Sequence, residues 1–189
     1  MDLPGIEPGT SASQASVGAT PVMALTTLDV NDQTLRLRYK IMNRSDHDIW
    51  VCEGVDTTGK PDPNGSEVYV DNDACSLVIA KRIEAPMQVY YVRPPDIEGR
   101  YVRLAPGQER IQSLSLAIPA QRHTLVTSSG LDVEYATRLL LKVGSYDEYP
   151  PGGRGGEEVV VPYRWTAYLS GNERCMEIAV DGVFIKVVR

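Results

Sequence analysis

Gln33-Thr34-Leu35-Arg36-Leu37-Arg38-Tyr39-Lys40-Ile41-Met42 alternates polar and apolar side chains along its length. Successive side chains of a strand project to opposite faces, so Leu35, Leu37, Tyr39 and Ile41 line one face and Thr34, Arg36, Arg38 and Lys40 the other. The three bases are therefore the wet side of a strand rather than a nucleic-acid patch. Immediately before them, Asn31-Asp32 tolerates positive φ and suits a tight turn back to a strand over residues 22–30. That register sets Leu28 opposite Leu35 and Val22 opposite Ile41.

The same period predicts strands over residues 49–53, 77–81, 88–93, 100–104, 112–118, 138–146 and 159–169. Apolar parity changes between Ile111 and Leu114, where a β-bulge would reset the faces. Pro162 removes a ladder donor, which places its strand at a sheet edge or bends it there. Residues 131–140 fit a helical stripe nearly as well as a strand, and the strand reading is preferred from Arg138 onward. At the C-terminus, Asp181-Gly182 is a favoured type I′ turn pair. A hairpin there pairs Val180 with Val183, Ile178 with Ile185 and Met176 with Val187 on one face, and Glu177 with Lys186 on the other.

Length and composition bound the rest. A chain of 189 residues with 42% hydrophobic and 23% charged residues suits one globular domain, here residues 22–189. Residues 1–21, rich in Gly, Pro, Ser, Ala and Thr, read as a flexible leader or linker. Nothing approaches the run of about 18 apolar residues that a membrane-spanning helix needs. A net charge of −6, from 25 acids and 19 bases, opposes binding to nucleic acid. Cys52, Cys75 and Cys175 form neither a C-x-x-C pair nor a dense disulfide framework. The compartment stays open; an exported location, with the signal absent from this chain, is slightly favoured over the cytoplasm.

Leu104-Ala105-Pro106-Gly107-Gln108-Glu109, followed by Leu114, Leu116, Ile118 and Pro119, resembles a hairpin of immunoglobulin-like and fibronectin type III-like bacterial domains. Residues 138–144 look like a late strand of such a domain, and the likeness extends loosely over residues 25–146. The resemblance implies an all-β, antiparallel two-sheet sandwich, immunoglobulin-like, with extra strands beyond residue 147. In antibody-type domains a tryptophan lies between two bridged cysteines, whereas here Trp50 precedes Cys52. Such domains serve in recognition, adhesion or as spacers.

The chemistry-bearing residues are sparse. His47 and His123 belong to no metal motif, and the nucleophile elbow and phosphate-cradling loop are both missing. Ser128 and Ser129 near His123 form no signed triad. Asp132, Glu134, Asp147 and Glu148 are the acids available for glycoside hydrolysis, a chemistry decided by separation in space. The oxygen-rich segment 56–73 offers Asp56, Asp62, Asp71 and Asp73 as candidate calcium ligands, but glycine is missing where an EF-hand loop requires it. Asn43-Arg44-Ser45 and Asn64-Gly65-Ser66 are glycosylation sequons. The loop over residues 146–157 combines Tyr146, Tyr149 and Arg154 with a glycine-rich tip, the side-chain types of a ligand-contacting surface. The absence of a catalytic motif, taken with what the resemblance implies, leads to a non-enzymatic binding or protein-interaction module that acts through inter-strand loops, needs no cofactor, and takes an unknown protein or glycan as partner. The alternatives are a carbohydrate-active enzyme or sugar-binding module using loop carboxylates and tyrosines, and a structural spacer of an exported assembly.

Overall fold

The computed structural model describes residues 20–57, 65–71, 73–82, 97–121, 134–162 and 173–188. Most of the leader, the strand expected over 88–93 and residues 163–169 lie outside them. The described residues form strands and turns with no helix, so the strand reading from Arg138 onward holds, and the strand begins three residues earlier, at Tyr135. The strands are β1 (Val22–Val30), β2 (Thr34–Met42), β3 (Ile49–Thr57), β4 (Glu67–Asp71), β5 (Ser76–Lys81), β6 (Ile97–Leu104), β7 (Glu109–Ala117), β8 (Tyr135–Tyr146), β9 (Arg154–Gly155), β10 (Glu158–Pro162) and β11 (Arg174–Lys186).

A first sheet of three antiparallel strands has the order β1-β2-β7. Leu35, Leu37, Tyr39 and Ile41 of β2 are buried, as their alternation requires, while Arg36 and Arg38 are exposed. The β1–β2 register differs from expectation: Leu28 faces Leu37, Val30 faces Leu35 and Val22 faces Met42. The cause is the Asn31 side chain, whose Oδ1 accepts from the amides of Gln33 and Thr34, each at 2.9 Å. The turn consequently closes across Asp32-Gln33, with the Asn31 amide donating to the Thr34 carbonyl. A bulge at Thr26 shifts the far end of the ladder by one residue.

No bulge occurs between Ile111 and Leu114, because β7 keeps one register against β2 from Glu109 to Ala117. The polarity is inverted instead. Ile111 is 48% exposed, and Gln112 fills the inward position at 8%. A buried polar side chain persists where it is hydrogen-bonded. Gln112 Oε1 accepts from the Tyr39 hydroxyl and from Lys81 Nζ at 3.2 Å, and Lys81 Nζ also donates to the Glu53 carbonyl at 3.0 Å.

The second sheet runs β4-β5-β8-β3-β6-β10-β9, with β11 on the other side of β8. It is mixed rather than antiparallel, since β5 and β8 run parallel over Ser76–Lys81. Burial explains how β5 tolerates that position: all six of its residues are buried, the pattern of a parallel strand covered on both faces. Pro162 ends β10, beyond the two positions at which β9 pairs, and so does stand at an edge. Buried residues of both sheets, among them Leu35, Tyr39, Ile49, Leu77, Leu139 and Ile185, share one hydrophobic cluster.

The C-terminal hairpin does not form. β11 is a single strand lying antiparallel to β8, from Arg174 opposite Ser145 to Lys186 opposite Tyr135. Between Asp181 and Ile185 the ladder shifts, with Gly182 at φ 76°, so Asp181-Gly182 supplies a bulge where a turn was expected. Glu177 accordingly lies opposite Lys142, not Lys186. Inward residues change from Met176, Ile178 and Val180 before the bulge to Val183, Ile185 and Val187 after it.

Candidate functional site

Residues directly opposite in an antiparallel pair present side chains to the same face. Trp50 lies opposite Arg103 of β6 and Tyr146 of β8, and Cys52 lies opposite Tyr101. Trp50, Cys52, Tyr101, Arg103 and Tyr146 therefore share one face of the second sheet, with Ile49, Val51 and Leu104 on the other. This face grades from a buried polar end to an exposed aromatic end.

At the buried end, the Tyr101 hydroxyl donates to Glu173 Oε1 at 2.6 Å, and Arg82 Nη2 lies 3.4 Å from Glu173 Oε2. The Tyr101 and Tyr146 rings pack edge-on with centroids 5.1 Å apart. Burial raises the Tyr101 hydroxyl well above the usual phenol range, with the nearby Cys52 and Glu173 acting in the same direction. Tyr146 is pushed up to about 12, first by burial and then by Glu173. Burial, with Glu173 second, also lifts the Cys52 thiol far above its ordinary value. A thiol held protonated is no nucleophile at neutral pH. This end is a set of fixed donors around a carboxylate, built to hold β6, β8 and the approach to β11 together.

At the exposed end, Trp50 and Tyr149 meet edge-to-face, with centroids 5.7 Å apart and planes at 77°. Tyr149 is 45% exposed, and its hydroxyl donates to the Gly155 carbonyl at 2.9 Å. The Gly153 amide donates to the Pro150 carbonyl at 3.0 Å, and β9 pairs with β10, so the tip between Tyr149 and Gly155 is closed on itself. Beside Trp50, Arg103 is clamped by two acids. Its Nε and Nη2 reach Asp48 Oδ2 at 2.8 and 2.6 Å, and its Nη1 reaches Glu157 Oε1 at 2.8 Å. Those carboxylates raise the guanidinium above its ordinary value, Asp48 foremost.

Of the expected ligand-binding residues, Tyr146 turns inward to Tyr101, Tyr149 stands at the surface against Trp50, and Arg154 is exposed on β9 opposite Val160. Among the calcium candidates, Asp56 pairs with Arg100 Nε at 3.1 Å and Asp71 Oδ1 accepts from the Ala74 amide at 3.3 Å. Asp73 is exposed in the same turn, and Asp62 lies outside the described residues. Among the described residues no group of three or more His, Cys, Asp or Glu is placed to hold a metal ion. Asp147 is paired with Arg174, Glu134 and Glu148 are exposed, and Asp132, His123, Ser128 and Ser129 lie outside the described residues. No described helix is long and apolar enough to cross a membrane.

Sequence reasoning missed Trp50, Arg103 and the Tyr101–Glu173–Arg82 set, because cross-strand neighbours far apart in the chain carry no local motif. One local sign exists: Gly144 interrupts an apolar strand, and such a glycine marks a close approach.

No protein-family model matches the chain, and no curated protein does. Among solved structures, a β-glucosidase from Kluyveromyces marxianus matches at 10% identity and a TM-score of 0.24, covering 89% of this chain. The same enzyme in complex with glucose matches at 10% identity and 0.24, covering 87%. This chain spans 15% of the length of that enzyme, and a likeness at this TM-score carries no argument about fold or function.

Proposed function

We propose that the chain is a non-enzymatic binding module, an immunoglobulin-like sandwich that recognises its partner through the loop over residues 146–157 and the adjoining sheet face. The observation that carries this reading is the Trp50–Tyr149 pair. Tyr149 is exposed, yet its ring is fixed by Trp50 and its hydroxyl by Gly155. Aromatic contact area held in place before binding loses little entropy on association, which is the property of an effective recognition surface. A catalytic reading has less support, because the most enclosed carboxylate of this face, Glu173, is engaged by Tyr101 and Arg82, and Asp147 is engaged by Arg174.

The test is a screen of the full chain against protein and glycan arrays, repeated with Tyr149→Ala, with Arg154→Ala and with Ile111→Ala as a control on the first sheet. Tyr149→Ala is expected to weaken the main interaction by at least about tenfold, as a central aromatic contact does, and Ile111→Ala to leave it unchanged. Binding that survives both loop substitutions removes this surface from the account.

A further inference from the structure

We infer that the corner between Trp50 and Tyr149 is a subsite for a neutral sugar ring, a reading that rests on the binding role proposed above. A pyranose has an apolar C–H face and a rim of hydroxyls, so its site needs an aromatic surface bordered by fixed hydrogen-bonding groups. Trp50 and Tyr149, at 77° to one another, give a floor and a wall at nearly right angles. Arg103, directly opposite Trp50, fixes the border. Asp48 uses Oδ2 for both of its contacts with Arg103 and Glu157 uses Oε1. The contacts with Arg103 thus leave Asp48 Oδ1 and Glu157 Oε2 as acceptors for ligand hydroxyls.

Charge narrows the class further. Asp48 and Glu157 together neutralise Arg103, so the clamp offers an anionic ligand no free positive charge. A cationic side chain gains most from aromatic rings that enclose and desolvate it, whereas Tyr149 lies open to solvent at 45% exposure. A neutral polyol with one apolar face satisfies both the rings and the acceptors.

The experiment measures binding of the full chain to three soluble neutral polysaccharides, a β-glucan, a xylan and a galactomannan, by affinity electrophoresis and calorimetry. A random peptide library is panned in parallel. Tyr149→Ala removes the wall, and Tyr149→Phe keeps the ring while deleting only the bond to Gly155. The subsite predicts saturable binding to at least one polysaccharide, weakened by about tenfold or more in Tyr149→Ala and within about threefold of the parent in Tyr149→Phe. Retained binding in Tyr149→Phe shows that the ring acts by contact rather than by bracing the loop. Polysaccharide binding indifferent to Tyr149→Ala overturns the subsite. Tyr149-dependent peptide binding without any polysaccharide binding overturns the sugar class and leaves the binding surface standing. Absence of both overturns the two readings together.

Discussion

Gly144 lacks a side chain because Glu173 occupies the space where one would lie. A Cβ at this position would stand 2.0 Å from Glu173 Oε1 and 3.1 Å from Arg82 Cβ. The carboxylate cannot swing aside freely, since Tyr101 and Arg82 hold it. Gly144→Ala should therefore cost about 1–3 kcal/mol, the usual range for overpacking. Glu173→Ala should cost a similar amount by orphaning its buried donors. The double variant should lose less than the sum, because the first change removes the obstacle to the second. Urea denaturation of the four proteins checks this, and strict additivity would contradict the geometry. At this scale the sequence is least legible. The alternation of residues 33–42 places Tyr39 inward, but nothing near Gln112 announces that it, rather than Ile111, goes in with it. Only the pairing of Tyr39 with Gln112 and the approach of Lys81 explain the choice.

Strands are the most legible level: the described parts of the predicted strands are all present, several of them longer than expected. Their partners were harder to read. Asp181-Gly182 shows why. A two-residue turn and the bulge in β11 both need positive φ and both move the inward set from even to odd positions, so one apolar pattern is compatible with either. Sheet edge availability decides between them, because β8 offers twelve residues to pair against. The bulge rests on backbone conformation alone: nothing lies within 4 Å of a Cβ placed on Gly182, whose φ is 76°. Gly182→Val should thus destabilise the fold by about 1–2 kcal/mol through left-handed strain, and Gly182→Asn should cost less. Equal stability of the valine variant and the parent in thermal unfolding would show that the strand runs through without the bulge.

Across the whole molecule, four buried acidic groups, Tyr39, Tyr101, Tyr146 and Cys52, are held neutral mainly by burial. Their folded values exceed the ordinary ones of 10.0 for tyrosine and 9.0 for cysteine. The unfolded chain therefore releases these protons first as pH rises. Their contribution is complete below the ordinary values and is lost above them, for Tyr146 up to about 12. The urea midpoint should hold steady up to roughly pH 9 and fall beyond it, with Tyr146→Phe falling less steeply. A midpoint unchanged at about pH 11 would refute this. The parallel contact of β5 with β8 joins segments some sixty residues apart, and such non-local pairings form slowly. Until β8 is in place, the C-terminal segment has no edge to join, and its mirror-symmetric apolar pattern can close on itself. A detached peptide of residues 173–188 should show cross-strand NMR contacts between Val180 and Val183, and a featureless coil would exclude it. If the tail self-pairs in the intact chain before β8 forms, refolding would have to unzip the very contacts that formed first.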